Sequence, residues 1–280
     1  MIIEKDIDLL LTDYVNNIGR GISGHIFEII EYYMILKNHF KIKILIYNIP
    51  FFKDILLNKY NFDKDEIKDI LNNTIFYNKI KLIKTKNIFF VNGRMSNIYS
   101  DKIICDNIIT FACASFDILN NKKNNVHILL DYRIYPTIPE NGIDYKKKIL
   151  FSRYRETLKK GNKTLLYVTD NCRKISKYPN VKNPLIISDK NKPLINLFDE
   201  ISSYYYTPVL TKFDCSPRLP AECKFYKKRF ILDKEVIDYL ELDKGLFYRL
   251  KDIQYDFESL FLTNNDEIIN IIKGIIWKNQ

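Results

Sequence analysis

The sequence predicts an α/β protein built as two halves, each carrying a mostly parallel sheet, the second half reduced. Three observations predict it. Short apolar strand patterns alternate with helical patterns from residue 9 to about residue 130, as they do in βαβ units. The alternation is interrupted by a polar turn, Lys160-Gly161-Asn162-Lys163, and then resumes. A glycine-rich loop joins the first strand to the first helix, and open parallel sheets bind ligands beyond the carboxyl ends of their strands. The boundary is placed so that 1–158 form the N-terminal domain and 159–280 the C-terminal one, facing each other across a cleft, with a C-terminal helix closing the second.

The elements follow in order. Residues 9–15 read as a strand and 16–24 as a loop. Residues 24–38 read as a helix, with Ile26, Ile29, Ile30 and Tyr33 forming an apolar stripe at helical spacing. Residues 41–47 alternate as a strand. Residues 63–72 form a short helix with Asp63 at its start. Residues 88–91 and 126–130 are further strands. In the second half, 164–168 and 184–188 read as strands, 194–205 as a helix and 229–232 as a strand. A final amphipathic helix covers 264–277, capped by Asn264 or Asn265, with Ile268, Ile271, Ile272 and Ile275 on one face. No short internal repeat is evident.

Composition excludes several classes. Of 280 residues, 46% are hydrophobic and 28% charged, which suits a globular chain and not a disordered one. The apolar runs are too short to span a bilayer, and MIIEKDIDLL lacks the basic start of a signal peptide. A soluble, cytoplasmic protein is expected, in the host cytoplasm if the source is viral. The five cysteines form no C-x-x-C pair and the three histidines no H-x-x-x-H pair, so no disulfide framework or zinc site is expected. The net charge of +10 admits a polyanionic partner such as DNA. The richness in Ile, Lys, Asn, Tyr and Phe admits equally that AT-rich codons supplied the lysines.

Three of the eight glycines fall together in Gly19-Arg20-Gly21-Ile22-Ser23-Gly24. Glycine permits close backbone approach, and a following helix offers unpaired N–H groups to an anion. The spacing is that of the dinucleotide fingerprint G-x-G-x-x-G, but the next strand ends in Tyr47-Asn48-Ile49 where that fingerprint expects an acid for a ribose hydroxyl. His25 follows in the first helical turn, either touching a sugar or phosphate or standing half-exposed at the helix start.

The stretch FDCSPRLPAECKFYKKRFIL, 213–232, opens a second candidate site. Ser216 is a plausible N-cap, Pro217 sits at the first helical position, and Pro220 still lies in the first turn, where no amide partner is lost. The helix end, the Ser216 hydroxyl and the Arg218 guanidinium converge on one place, which suits a diphosphate. Glu222 lies four residues beyond Arg218, and a carboxylate there accepts hydrogen bonds from two ribose hydroxyls. The plain alternative is an Arg–Glu pair on a solvated helix face.

Both motifs resemble GT-B glycosyltransferases. Residues 19–46 are similar to that family's opening glycine-rich loop, helix and strand. Asp214 and Glu222, with seven residues between them, resemble its carboxylate-x7-carboxylate motif. Two Rossmann-like domains, the second reduced, are the fold this implies. The resemblance implies that Glu222 binds the ribose or sugar of a nucleotide-sugar donor, a UDP-sugar foremost, with Asp214 completing the spacing. Gly19 and Gly21 belong to the donor side, and Arg173 and Lys174 are candidates for the diphosphate. No metal or other cofactor is expected, since these cations would stabilise the leaving diphosphate. The chain departs from the pattern where Lys227-Lys228 replaces a glycine before the last strand. Residues 126–136 look like the strand-end Asp-x-Arg segment of phage DNA glucosyltransferases, which implies Asp131 as the general base; the plain alternative is a turn aspartate paired with Arg133. The acceptor stays open between a hydroxymethylated base in viral DNA, a glycan and a small molecule. Two alternatives remain: an NAD(P)-dependent oxidoreductase using the glycine loop, and a non-catalytic protein that binds nucleic acid.

Overall fold

A computed structural model of the chain describes residues 6–12, 24–60, 62–78, 82–91, 103–111, 125–130, 142–144, 160–167, 181–187, 194–208, 218–241 and 265–277. It is a mixed α/β structure with parallel sheets. The chain divides into two compact units. One comprises Met1–Ile55, Asp63–Leu150 and Thr263–Gln280, the other Leu56–Phe62 and Phe151–Leu262. No helix among the described residues is long and apolar enough to cross a membrane.

The first unit contains β1 (Leu9–Thr12), α1 (Gly24–Leu36), β2 (Ile42–Tyr47), the start of α2 (Phe52–Tyr60), α3 (Lys64–Asn72), β3 (Thr74–Tyr77), β4 (Ile83–Lys84), β5 (Asn87–Phe90), β6 (Ile103–Ile104), β7 (Asn107–Phe111), β8 (Asn125–Leu130) and β9 (Gly142–Asp144). Its main sheet has the order β3-β2-β1-β5-β7-β8-β9, and every pairing in it is parallel. The chain builds outward from β1 on one side, then returns to the other. That is the order of doubly wound sheets, with its topological switch between β1 and β5. Leu9, Leu10, Leu11, Ile88, Phe89 and Phe90 are fully buried, as strands covered on both faces must be. The predicted stripe of α1 is buried throughout, and Tyr32 adds an edge contact to Phe89 at 5.5 Å between ring centroids. The helix expected over 63–72 is α3, started by a reciprocal capping box. Glu66 N–H donates to Asp63 Oδ1 at 2.8 Å, and Asp63 N–H to Glu66 Oε2 at 3.1 Å.

A repeat that the sequence does not make evident appears here. β4 and β6 form a small parallel side sheet, so that Ile83 pairs with Ile103 and Asn87 with Asn107. Segments 83–90 and 103–110 are therefore two copies of one strand–corner–strand unit. Only the Ile at the start and the Asn-Ile after the corner are shared between them, too little to register as a period.

A hydrogen-bond ladder runs across the amino ends of these strands. Asn87 Nδ2 donates to the Asp8 carbonyl at 2.7 Å, and Asn107 Nδ2 donates to Asn87 Oδ1 at 2.7 Å. His127 Nε2 lies 3.1 Å from Asn107 Oδ1. A backbone carbonyl can only accept, so each amide orientation is forced in turn, and His127 Nε2 must carry a proton. Asn87 and Asn107 are both buried.

The closing helix, α7 (Asp266–Trp277), lies in the first unit, whereas the sequence assigns it to the second half. Trp277 packs on Phe40 with ring centroids 5.6 Å apart. Its amphipathic pattern specified a buried face, with Ile268, Ile272 and Ile275 buried, but not the surface that face covers.

The second unit holds β10 (Lys163–Tyr167), β11 (Pro184–Ile187), α4 (Leu194–Glu200), β12 (Ile201–Tyr206), α5 (Arg218–Phe225), β13 (Arg229–Leu232) and α6 (Lys234–Glu241). The sheet is all parallel in the order β11-β10-β12-β13, so its switch lies between β10 and β12. The single helix predicted over 194–205 is overturned: the helix stops at Glu200 and residues 201–206 form the strand between β10 and β13. The run Ile-Ser-Ser-Tyr-Tyr-Tyr has strand propensity, and Ile201, Ser203, Tyr204 and Tyr206 are buried in the sheet. Gly161 makes this junction. A Cβ there would overlap the Glu200 carbonyl group and the Ile201 nitrogen, and Lys163 Nζ braces the same turn through Glu200 Oε2 at 2.9 Å.

Two stability predictions follow from this packing. Asn107→Ala strands Asn87 Oδ1 in the core, and urea unfolding should show a loss of about 2–3 kcal/mol. Gly161→Ala forces backbone apart at the α4–β12 junction, and the same measurement should show a loss of about 3 kcal/mol in the second unit.

Candidate functional site

In the first unit the carboxyl ends at the switch are those of β1 and β5. Thr12 Oγ1 donates to the Leu45 carbonyl at 2.8 Å, and Val91 N–H to the Thr12 carbonyl at 3.2 Å, which ties the strand ends together. Gly24 opens α1, and His25 is the second residue of that helix, in its first turn as the sequence predicts. Gly19 and Gly21 lie outside the described residues. So does Asp131, although β8, which leads to it, ends at Leu130.

The sequence gives little warning of Phe51. It follows Pro50 in the turn after β2, has φ 57°, and is 78% exposed. A proline followed by a positive φ is the pattern of a type II turn, which favours glycine at the second position. Pro50 is the only signal for the turn, and nothing in the sequence signals the exposed ring.

The opposite, amino-terminal edge of the same sheet carries a cavity of about 560 Å³ lined by Tyr33, Lys37, Lys41, Lys43, Asp69 and Asn73, among others. Its polar groups largely serve one another. Lys37 pairs with Asp69 at 2.8 Å, and Lys43 Nζ donates to the Asn72 carbonyl at 3.0 Å and to Asn73 Oδ1 at 3.2 Å. Asn73 Nδ2 donates to the Tyr33 hydroxyl at 2.9 Å. Burial, with the Asp69 charge beside it, holds that hydroxyl above its ordinary range. Two of the basic side chains here tie the end of α3 to α1 and β2.

The second unit places Arg218 as the first residue of α5 and Glu222 one turn later. Asp214, Ser216, Arg173 and Lys174 lie outside the described residues. Pro220 is in the first turn of α5, where its missing N–H costs nothing. Glu222 is only 3% exposed, so this is not the solvated helix face of the plain alternative. The sequence-predicted pair therefore comes together on one helix, with its acid buried. Burial, reinforced by the Glu222 charge, pushes the neighbouring Cys223 thiol well above its usual value, and burial pushes Cys105 up to about 12.

The end of α5 accounts for the missing glycine. Lys228 N–H donates to the Cys223 carbonyl at 2.8 Å and Lys227 N–H to the Lys224 carbonyl at 2.9 Å, a Schellman-type close. Lys227 has φ 55°, the left-handed conformation that glycine adopts freely. The turn survives with a lysine in it, and the lysine bears the steric cost. Lys227→Gly should raise stability by about 1 kcal/mol in thermal unfolding, whereas Lys227→Ala should not, which separates backbone relief from loss of charge.

No protein-family model matches the chain, and no curated protein or solved structure matches it either.

Proposed function

We propose that the chain is a glycosyltransferase of the GT-B kind, with two Rossmann-like domains, which moves a sugar from a nucleotide-diphospho-sugar to an acceptor hydroxyl. The observation that carries this is the all-parallel second sheet with its switch between β10 and β12, followed by a helix that begins at Arg218 and carries Glu222 one turn later. In this reading Glu222 accepts the ribose hydroxyls of the donor. Arg218 and the N-terminus of α5 hold the diphosphate, with Ser216, Arg173 and Lys174 beside them. Asp131 takes the acceptor proton as the new glycosidic bond forms. The bond to the diphosphate breaks with its electron pair, and the cations meet the charge that develops there. His25, in the first turn of α1, is the second catalytic candidate, and Gly19 and Gly21 let the backbone approach the donor. The acceptor is a hydroxymethylated base in viral DNA, a glycan or a small molecule. A DNA base would have to be extruded from its duplex.

A second reading has one observation of its own. The first unit has the doubly wound strand order, with the glycine loop lying in sequence between β1 and α1, the arrangement that binds dinucleotides. Against NAD(P) stands the end of β2, where Tyr47, Asn48 and Ile49 supply no carboxylate for the ribose.

Thermal unfolding with UDP, GDP, UDP-sugars and NAD(P) separates the two. A UDP-sugar at about 100 times its Kd should stabilise by about 2.7 kcal/mol, a rise of several degrees. Glu222→Gln should weaken UDP at least tenfold, equivalent to about 1.4 kcal/mol. Stabilisation by NAD(P) alone would overturn the glycosyltransferase reading.

A further inference from the structure

Thr207 follows directly on β12, at the carboxyl end of the strand that flanks the switch of the second sheet. It is 3% exposed, and its hydroxyl is buried with no hydrogen-bond partner in the protein. It stands apart in this. The other serine and threonine hydroxyls among the described residues each have a partner, as Thr12 has in Leu45 and Thr164 in Ser203, whose hydroxyls lie 2.8 Å apart. Buried hydroxyls without partners are rare because they lose water and gain nothing. The position is also particular. In open parallel sheets ligands gather at the carboxyl ends beside the switch. The chain continues from Thr207 to the N-terminus of α5 at Arg218, where unpaired backbone N–H groups favour an anion.

We propose that Thr207 is a ligand contact whose hydroxyl donates a hydrogen bond to a phosphoryl oxygen of a nucleoside diphosphate bound at the carboxyl ends of β10 and β12. This rests on the glycosyltransferase reading for the nucleoside but not for the phosphate. It explains why an unsatisfied hydroxyl is kept where valine, of the same shape, would pack without penalty.

The test compares wild type with Thr207→Val and Thr207→Ser, by calorimetric titration with UDP and with inorganic pyrophosphate and by thermal unfolding without ligand. Thr207→Val should unfold at or above the wild-type temperature yet bind UDP about tenfold more weakly. Thr207→Ser should bind within about twofold of wild type. Equal UDP affinity in Thr207→Val overturns the inference and leaves the glycosyltransferase reading standing. A melting temperature several degrees lower in ligand-free Thr207→Val, restored in Thr207→Ser, also overturns it, because the hydroxyl would then be bonded within the protein. Wild type that binds pyrophosphate but no nucleoside diphosphate removes the nucleotide-sugar reading. The Thr207 contact then stands if Thr207→Val weakens pyrophosphate tenfold and falls if it does not. Wild type that binds neither removes both.

Discussion

The ladder from the Asp8 carbonyl through Asn87 and Asn107 to His127 is the interaction on which the first unit depends. Its central strands are apolar on both faces, so Leu9-Leu10-Leu11, Ile88-Phe89-Phe90 and Ile108-Ile109 would bury about as much surface if a strand slipped by one residue. In an amphipathic strand such a slip turns the core face to water, and burial alone sets the register. Here burial cannot. The asparagines can, because a slip would take each amide out of reach of its neighbour and leave it unpaired in the core. With Asn87 opposite Asn107 and Asn107 opposite Asn125, the carboxyl ends of β5, β7 and β8 are placed as well, and with them the strand that leads to Asp131.

The second sheet is smaller, and its register comes from a different source. Gly161 lets the turn before β10 lie against the α4–β12 junction, and Thr164 pairs with Ser203 across the two strands. A side chain at position 161 would push the strands apart at their amino ends. The same contact explains why the helix stops at Glu200. The chain must become extended there to place Ser203 opposite Thr164, and the run Ile-Ser-Ser-Tyr-Tyr-Tyr has the propensity to allow it.

Local signals in the sequence carried far and tertiary ones did not. The stripe of α1, the capping box of α3, the strand β2 and the body of α5 are all written in spacings within one element. The strand β12 was hidden because Leu194-Ile-Asn-Leu-Phe continues into Ile201 and Tyr204 at spacings a helix also satisfies, and only pairing with β10 and β13 decides against it. The placement of α7 was hidden because an apolar face does not name the surface it covers. At the candidate site, the helix bearing Arg218 and Glu222 was legible from Pro217 and Pro220. The burial of Glu222 was not, since an Arg–Glu spacing of four fits a solvated face equally well. Phe51 and Lys227 adopt conformations that sequence rules reserve for glycine. At 227 the left-handed backbone is the kind that favours glycine, and the chain carries a lysine there.

The two edges of these sheets differ in how they treat polar groups. At the amino-terminal edge of the first sheet, Lys37 meets Asp69, Lys43 caps the end of α3 and the asparagines meet one another, so polarity there is consumed in holding the fold. A part of the lysine excess is accounted for in the same way and asks for no polyanion. At the carboxyl end of β12, Thr207 keeps a buried hydroxyl that the fold does not use, and α5 beyond it carries a buried acid one turn after an arginine. Folding alone would favour a valine at 207. A hydroxyl kept in the interior against the interest of stability is the expected signature of a group held for something other than the fold, and Thr207 stands at the strand end beside the switch, where a parallel sheet offers its ligands a place.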